Sequence, residues 1–314
     1  MTGSWVLRSE MWPPVMGRPG LTQGRYGNAG NLELVAPAVD DGLWVGWFNS
    51  DSHDDRTTTR SRAWSGALRF ARGRRYRTAD IAQLDAGPDW LEVVALSQAG
   101  EVVRHVWSPE SGFLEQEVTQ VGVRDVSGLV LDPTGMHHLA IVAEDGIVTV
   151  LSAGAAEHPR WSPQIREVGS SEGGVSAVWH GQHLDLLVSS EGRNIVVCDD
   201  VELDCGPATP WARLILVAGQ RFILVPTENG LPSPNHANHR DIPCFPIAGS
   251  AAAASPVKLD DATALGIVIR RGNHLIYTRI HPAKGQSTRY QAEPVHAEIW
   301  DTDGAPASLH RGVT

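Results

Sequence analysis

A hairpin-forming pattern that occurs six times limits what this chain can fold into. Its clearest copy runs from Gly27 to Trp47. Leu32, Leu34 and Val35 flank Glu33, and Asp40-Asp41-Gly42 follows. Leu43, Val45 and Trp47 then alternate with Trp44 and Gly46. Alternation at period two marks strands, and an Asp-Gly pair supplies the positive φ of a tight turn. Read alone, the stretch is one local hairpin. Its copies make it a repeat unit.

The copies begin at Trp90-Leu91-Glu92-Val93-Val94, His138-Leu139-Ala140-Ile141-Val142, His183-Leu184-Asp185-Leu186-Leu187, Arg221-Phe222-Ile223-Leu224-Val225 and Ala264-Leu265-Gly266-Ile267-Val268. Each is followed by a Gly, and all but the Arg221 copy, the fifth unit of the chain, by a second apolar alternation. In the fifth, a Pro-rich loop replaces it. The mean spacing of about 47 residues suits one four-stranded propeller blade. A further strand precedes most copies: Gly20–Gln23, Asp80–Gln83, Ser127–Leu131, Val175–Trp179 and Arg213–Leu216.

The predicted fold is therefore all-β: a β-propeller of six blades, with five or seven also compatible, its ring closed by terminal strands. One domain spans 1–314, with loop insertions at about 49–78 and 226–250. Trp5-Val6-Leu7, Trp12-Pro13-Pro14-Val15 and Val295–Trp300 compete for the closing strand. Pairing the termini removes exposed strand edges. No amphipathic helix is expected; Ala251–Ala254 is too short for one.

Lys and Arg number 26 against 36 Asp and Glu, a formal net charge of −10. Nucleic-acid backbone binders are normally basic, so no nucleic-acid partner is expected. The basic cluster Arg69, Arg72, Arg74, Arg75 and Arg77 reads as a solvated strand and turn. No apolar stretch reaches membrane-spanning length, and the first residues lack a signal-peptide core. Three cysteines fit a reducing, cytoplasmic setting, with a Cys198–Cys205 bridge open as an alternative.

The first two units resemble a family. Pro19-Gly20-Leu21-Thr22-Gln23 with Gly30-Asn31-Leu32-Glu33-Leu34-Val35 is similar to the repeat of bacterial propeller proteins related to the tachylectin-like and fucose-lectin-like propellers. Asp80-Ile81-Ala82-Gln83, Leu91-Glu92-Val93-Val94 and His105-Val106-Trp107 resemble the same repeat. The resemblance covers about residues 12–123 and implies sugar binding between blades, with Trp as the stacking platform. Trp44, Trp47, Trp107 and Trp179 are the candidate platforms, with Arg240 as a further ligand contact. A multivalent lectin keeps its site residues similar in every blade. Here Trp44 and Trp47 have only Trp107 as a counterpart, which suits one asymmetric site on the axis or under a loop.

Chemistry-bearing candidates are few. His236, His239 and Asp241 offer two imidazoles and a carboxylate, a candidate divalent metal site or acid/base group. His138 and His180, with His137, His183 and His274, stand near strand starts and can converge on one rim of the channel as catalytic groups. Asp51, His53, Asp54, Asp55 and Arg56 form a charged loop tip. Glu33, Glu92 and Asp185 share one repeat position, read as ties between blades. Phosphate-loop, nucleophile-elbow, Cys-x-x-Cys and Asp-box motifs are absent. The leading function is binding of a carbohydrate or other small polar ligand. The alternatives are a hydrolase or lyase with a His and carboxylate site at the axis, with or without metal, and a protein–protein scaffold.

Overall fold

The computed structural model describes residues 10–27, 29–51, 64–154, 161–198, 201–209, 211–217, 219–227, 242–259, 262–280, 293–294, 296–297 and 299–300. Among them every regular element is a strand, and no helix is long and apolar enough to cross a membrane. Six small sheets succeed one another as the blades of a propeller.

Blade 1 is Gly20–Gln23, Leu32–Pro37, Leu43–Phe48 and Trp64–Phe70. Blade 2 is Tyr76–Gln83, Leu91–Ser97, Val102–Ser108 and Gly112–Gln120. Blade 3 is Val123–Val126 with Val130–Leu131, then Met136–Ala143, Ile147–Gly154 and Ser162–Ser170. Blade 4 is Val175–His180, His183–Ser190, Arg193–Cys198 and Val201–Pro207. Blade 5 is Arg213–Val217, Gln220–Thr227 and Cys244–Ala248. Blade 6 is Ala251–Leu259, Ala262–Arg271, His274–Ile280 and Glu293–Pro294. Each first strand lines the axis, starting at the upper end of the ring and finishing at the lower.

The expected units are present, with local differences. Trp64–Phe70 is the fourth strand of blade 1 and Tyr76–Gln83 the first of blade 2, so structured chain occupies much of the expected 49–78 insertion. The expected strand Ser127–Leu131 splits, because the first strand ends at Val126 and resumes at Val130. Blade 6 begins with Ala251–Leu259, whose Ala251, Ala252 and Ala253 are fully buried. Small side chains suit the crowded centre and leave no apolar signature.

Blade 5 obeys a parity constraint. Four antiparallel strands return the chain to the upper end, ready for the next blade. Three would leave it at the lower end. Here the third strand, Cys244–Ala248, runs parallel to the second, Ile223 opposite Cys244, so the chain still finishes at the top.

Six apolar clusters lie one to each seam, which closes the ring. A blade packed on both sides buries both faces of its middle strands. Leu32–Pro37 and Leu91–Ser97 are accordingly buried at every position. At the seam of blades 6 and 1, Trp12 and Val15 wedge between Trp64, Phe48 and Tyr277. The C-terminal run supplies the closing strands: Glu293–Pro294 completes blade 6, His296–Ala297 pairs with Glu10–Met11, and Ile299–Trp300 runs parallel to Ala67–Leu68 of blade 1. Trp5-Val6-Leu7 lies outside the described residues.

Polar groups tie the seams. Glu92, fully buried, accepts from Arg104 of its own blade and from His137 and Trp161 of blade 3. Asp185 of blade 4 accepts from Arg221 of blade 5 at 3.0 Å. Two arginines of the basic cluster are paired with carboxylates: Arg69 meets Asp40 and Asp41, and Arg74 meets Glu101 and Glu115. All three cysteines are free. Cys205 turns into the seam core while Cys198 meets Arg221, so the alternative bridge does not form.

His105 predicts a pH effect. It is 1% exposed, with Tyr76 Oη 3.4 Å from its Nε2. Burial lowers its pKa from 6.5 to about 4, against the pull of Glu115 and with the help of Arg74. Between those values the unfolded chain binds the extra proton. Stability is therefore expected to fall as pH drops through that window, by about 3 kcal/mol in all. Denaturant unfolding at a series of pH values checks this: His105→Gln should show a shallower loss than wild type. Equal slopes would remove His105 as the cause.

Candidate functional site

The first strands begin at the upper end, so the residues at their starts surround the axis. Arg18 precedes blade 1, Asp80 lies in blade 2, Asp125 in blade 3 and Arg213 in blade 5. Arg18 meets Asp125 at 3.4 Å and also donates to the Val126 carbonyl. Asp80 stands 3.7 Å from Arg213. Blades 2 and 5 face each other in a ring of six, so this pair spans the channel. Burial pushes the Asp80 carboxyl up despite Arg213 and the backbone N–H groups of Leu129 and Ile81, and pushes Arg213 down to about 10. Side chains thus fill the middle of the channel, and among the described residues no histidine stands there.

Above this plug is a cavity of about 640 Å³. Five blades contribute to it unequally: Gly17 from blade 1, Arg77 and Thr78 from blade 2, Arg124 and Asp125 from blade 3, Glu172 to Gly174 from blade 4, and Thr209 and Trp211 from the start of blade 5. Equivalent positions hold different residues, so the cavity is asymmetric. Trp211 sits at φ 60, a left-handed conformation that is an outlier for a bulky side chain and that clusters at functional sites. Arg270 stands over its ring at 5.5 Å from the centroid and is anchored by the carbonyls of Gly17 and Gly272, each at 2.7 Å. Two polar atoms of lining residues, Thr78 Oγ1 and Arg124 Nε, have no hydrogen-bond partner.

Most sequence candidates lie elsewhere. Trp44 and Trp107 are buried, Trp44 under Arg69 and Trp107 against Phe113. They fill seams and are not open platforms, because the preceding blade covers them. Trp47 is half-buried in blade 1. His236, His239, Arg240 and Asp241, and with them the candidate divalent metal site, lie outside the described residues, as do His53, Asp54, Asp55 and Arg56. Among the described residues no group of three His, Cys, Asp or Glu can hold a metal ion.

The histidines do not share one rim. His274 opens a third strand at the upper end. His138, His180 and His183 stand at the lower end, at turns between first and second strands. His137 turns away from His138, into the Glu92 seam. His138 stacks on half-buried Trp179, centroids 5.0 Å apart at 17°. Its Nδ1 lies 2.8 Å from Ser152 Oγ and its Nε2 3.1 Å from Asp132 Oδ2. Burial opposes the Asp132 charge, but hydrogen bonds from Thr134, His138 and Met136 hold its carboxyl well below the usual range. Ser152, His138 and Asp132 have the connectivity of nucleophile, base and orienter. Ser152 is only 3% exposed and Trp179 covers the imidazole, so the array reads as a closed structural tie. His180 pairs with Asp185 at 3.4 Å.

Trp211, Arg77, Arg124 and Arg270 were not singled out as site residues by the sequence. The available signal was the series Arg18, Arg77 and Arg124, each at or just before the start of a first strand, and a Trp at the same place in unit five.

No protein-family model and no curated protein matches the chain. Solved structures do. A mutant of Aleuria aurantia lectin in complex with Fucα1-6GlcNAc is 10% identical, with 95% of this chain and 100% of that one covered, TM-score 0.57. AofleA from Arthrobotrys oligospora is 11% identical, with 94% of each chain covered, TM-score 0.53. The BP39L lectin from Burkholderia pseudomallei is 14% identical, with 90% and 85% covered, TM-score 0.52. The shared property is the fold. This chain is a six-bladed β-propeller of that architecture. At such identities the site must be argued from its own residues, and those at the axial mouth come from five different blades.

Proposed function

We propose that this propeller binds a carbohydrate, or another small polar ligand of similar size, in the asymmetric cavity at its axial mouth. The carrying observation is the cavity of about 640 Å³ with Trp211 held at φ 60 on its wall. Ligand sites of this size are mostly apolar, with a few placed polar groups. An indole offers a sugar ring a rigid apolar face at low entropic loss. Arg77, Thr78, Arg124, Glu172 and Thr209 supply donors and acceptors around it. Two of these solved structures of the same architecture, the Aleuria aurantia and BP39L proteins, are lectins, which supports a sugar as the ligand class. The lower-end Ser152, His138 and Asp132 array gives a hydrolase reading less support, since its hydroxyl is buried.

A glycan array, followed by titration of the strongest hit, tests the reading. Trp211→Ala is expected to weaken that hit by about 2 kcal/mol, roughly thirtyfold, while Trp179→Ala leaves it within about twofold. Loss on Trp179→Ala with Trp211→Ala unchanged would move the site to the seam of blades 3 and 4.

A further inference from the structure

We infer that the ligand of the axial mouth is anionic: on the reading above, an acidic sugar carrying a carboxylate. This rests on the mouth being the site, and adds the charge of what it takes.

The chain as a whole carries −10, yet the mouth is cationic. Arg77 donates Nε to the Ser97 carbonyl at 3.3 Å and Nη2 to the Val123 carbonyl at 3.0 Å. Arg124 donates Nη2 to the Ser171 carbonyl. Arg270 donates to the carbonyls of Gly17 and Gly272. All these partners are neutral. They fix the guanidinium groups in place and leave their charge uncompensated. Of the nearby acids, Asp125 is taken by Arg18. Glu172 is exposed and, among the described residues, accepts only the Gly192 N–H, at 3.4 Å. Two guanidinium groups on the cavity wall, with a third against the Trp211 ring, therefore stand near one carboxylate that has no ion pair among the described residues.

The arrangement costs the folded protein something. Arg270 loses hydration by burial, which lowers its pKa, and no carboxylate among the described residues compensates it. Arg124 keeps an unpartnered, buried Nε. Buried polar groups without partners are rare and point to a role beyond folding. A fixed guanidinium is well suited to a carboxylate, since its planar fork matches the two oxygens. Apolar burial on Trp211 and charge pairing with arginine would together favour a sugar acid over its neutral analogue.

Methyl β-glucuronide and methyl β-glucoside differ at one carbon, a carboxylate against a hydroxymethyl, and form the test pair. Calorimetric titration of the full chain with each should show the glucuronide binding at least tenfold more tightly, a charge-assisted hydrogen bond being of that size. The preference should weaken with added salt. Arg124→Gln should abolish it, while Arg124→Lys, which keeps the charge, should retain part of it. Melting curves of both variants separate loss of binding from loss of folding. Equal binding of the two sugars, or an unchanged preference in Arg124→Gln, would overturn the inference while leaving a carbohydrate site standing. Citrate binding with neither sugar bound would keep the anion preference and remove the carbohydrate reading. No binding of sugar or citrate would overturn both.

Discussion

Glu92→Ala is expected to destabilise the protein by about 3–5 kcal/mol, the usual result of removing one partner from a buried charged cluster. Glu92 is 0% exposed, Arg104 2% and His137 0%, so removing the carboxylate strands a guanidinium and an imidazole in a dry seam. Burial works against the Glu92 charge, but the His137 hydrogen bond and the charges of His137 and Arg104 outweigh it and hold its carboxyl below the usual range. A carboxylate depressed in the folded state stabilises above its unfolded pKa, and that stability goes as pH falls through the folded value. The Glu92→Ala deficit should therefore be full at pH 7 and shrink in acid. Urea unfolding followed by tryptophan fluorescence measures it. A deficit under about 1 kcal/mol would show that water replaces the lost partner.

The second large effect is at the axis. Arg213→Met leaves Asp80 buried among backbone and apolar groups, and a loss of about 3–5 kcal/mol is expected at neutral pH. Asp80 then gains by taking up a proton, so the deficit should fall as pH is lowered. Adding Asp80→Asn should recover most of it, because neither member of the pair is then left charged and alone. Additive losses in the double variant would mean that the two residues do not interact across the channel, contrary to a pair joining blades 2 and 5.

Much of this fold was legible in the sequence, and the reason is local. Leu32–Pro37 and Leu91–Ser97 sit between two blades, bury both faces and so repeat strongly. Glu92 and Asp185 interrupt that apolar run at one repeat position, and both prove to be ties between blades. Signals failed where the physics is not local. Ala251–Leu259 lies at the crowded centre, where small residues fit and no apolar pattern survives. The parallel strand Cys244–Ala248 follows from chain parity, which no residue announces. The candidate site was the least legible part. Gly17, Arg77, Arg124, Glu172 and Trp211 are separated by whole blades and meet only because six blades bring the starts of their first strands together. Trp44 and Trp107 looked like platforms for the opposite reason: they stand at repeat positions, and repeat positions in this fold are mostly seams.

The position of a bound ligand decides where the site lies. Crystals of the protein grown with the strongest glycan from the array should show the sugar in the axial mouth, against the Trp211 ring and within hydrogen-bond reach of Arg77 or Arg124. A sugar seated in a blade seam beside Trp179 or Trp47, with the mouth holding only solvent, would show that the axial mouth is not the binding site.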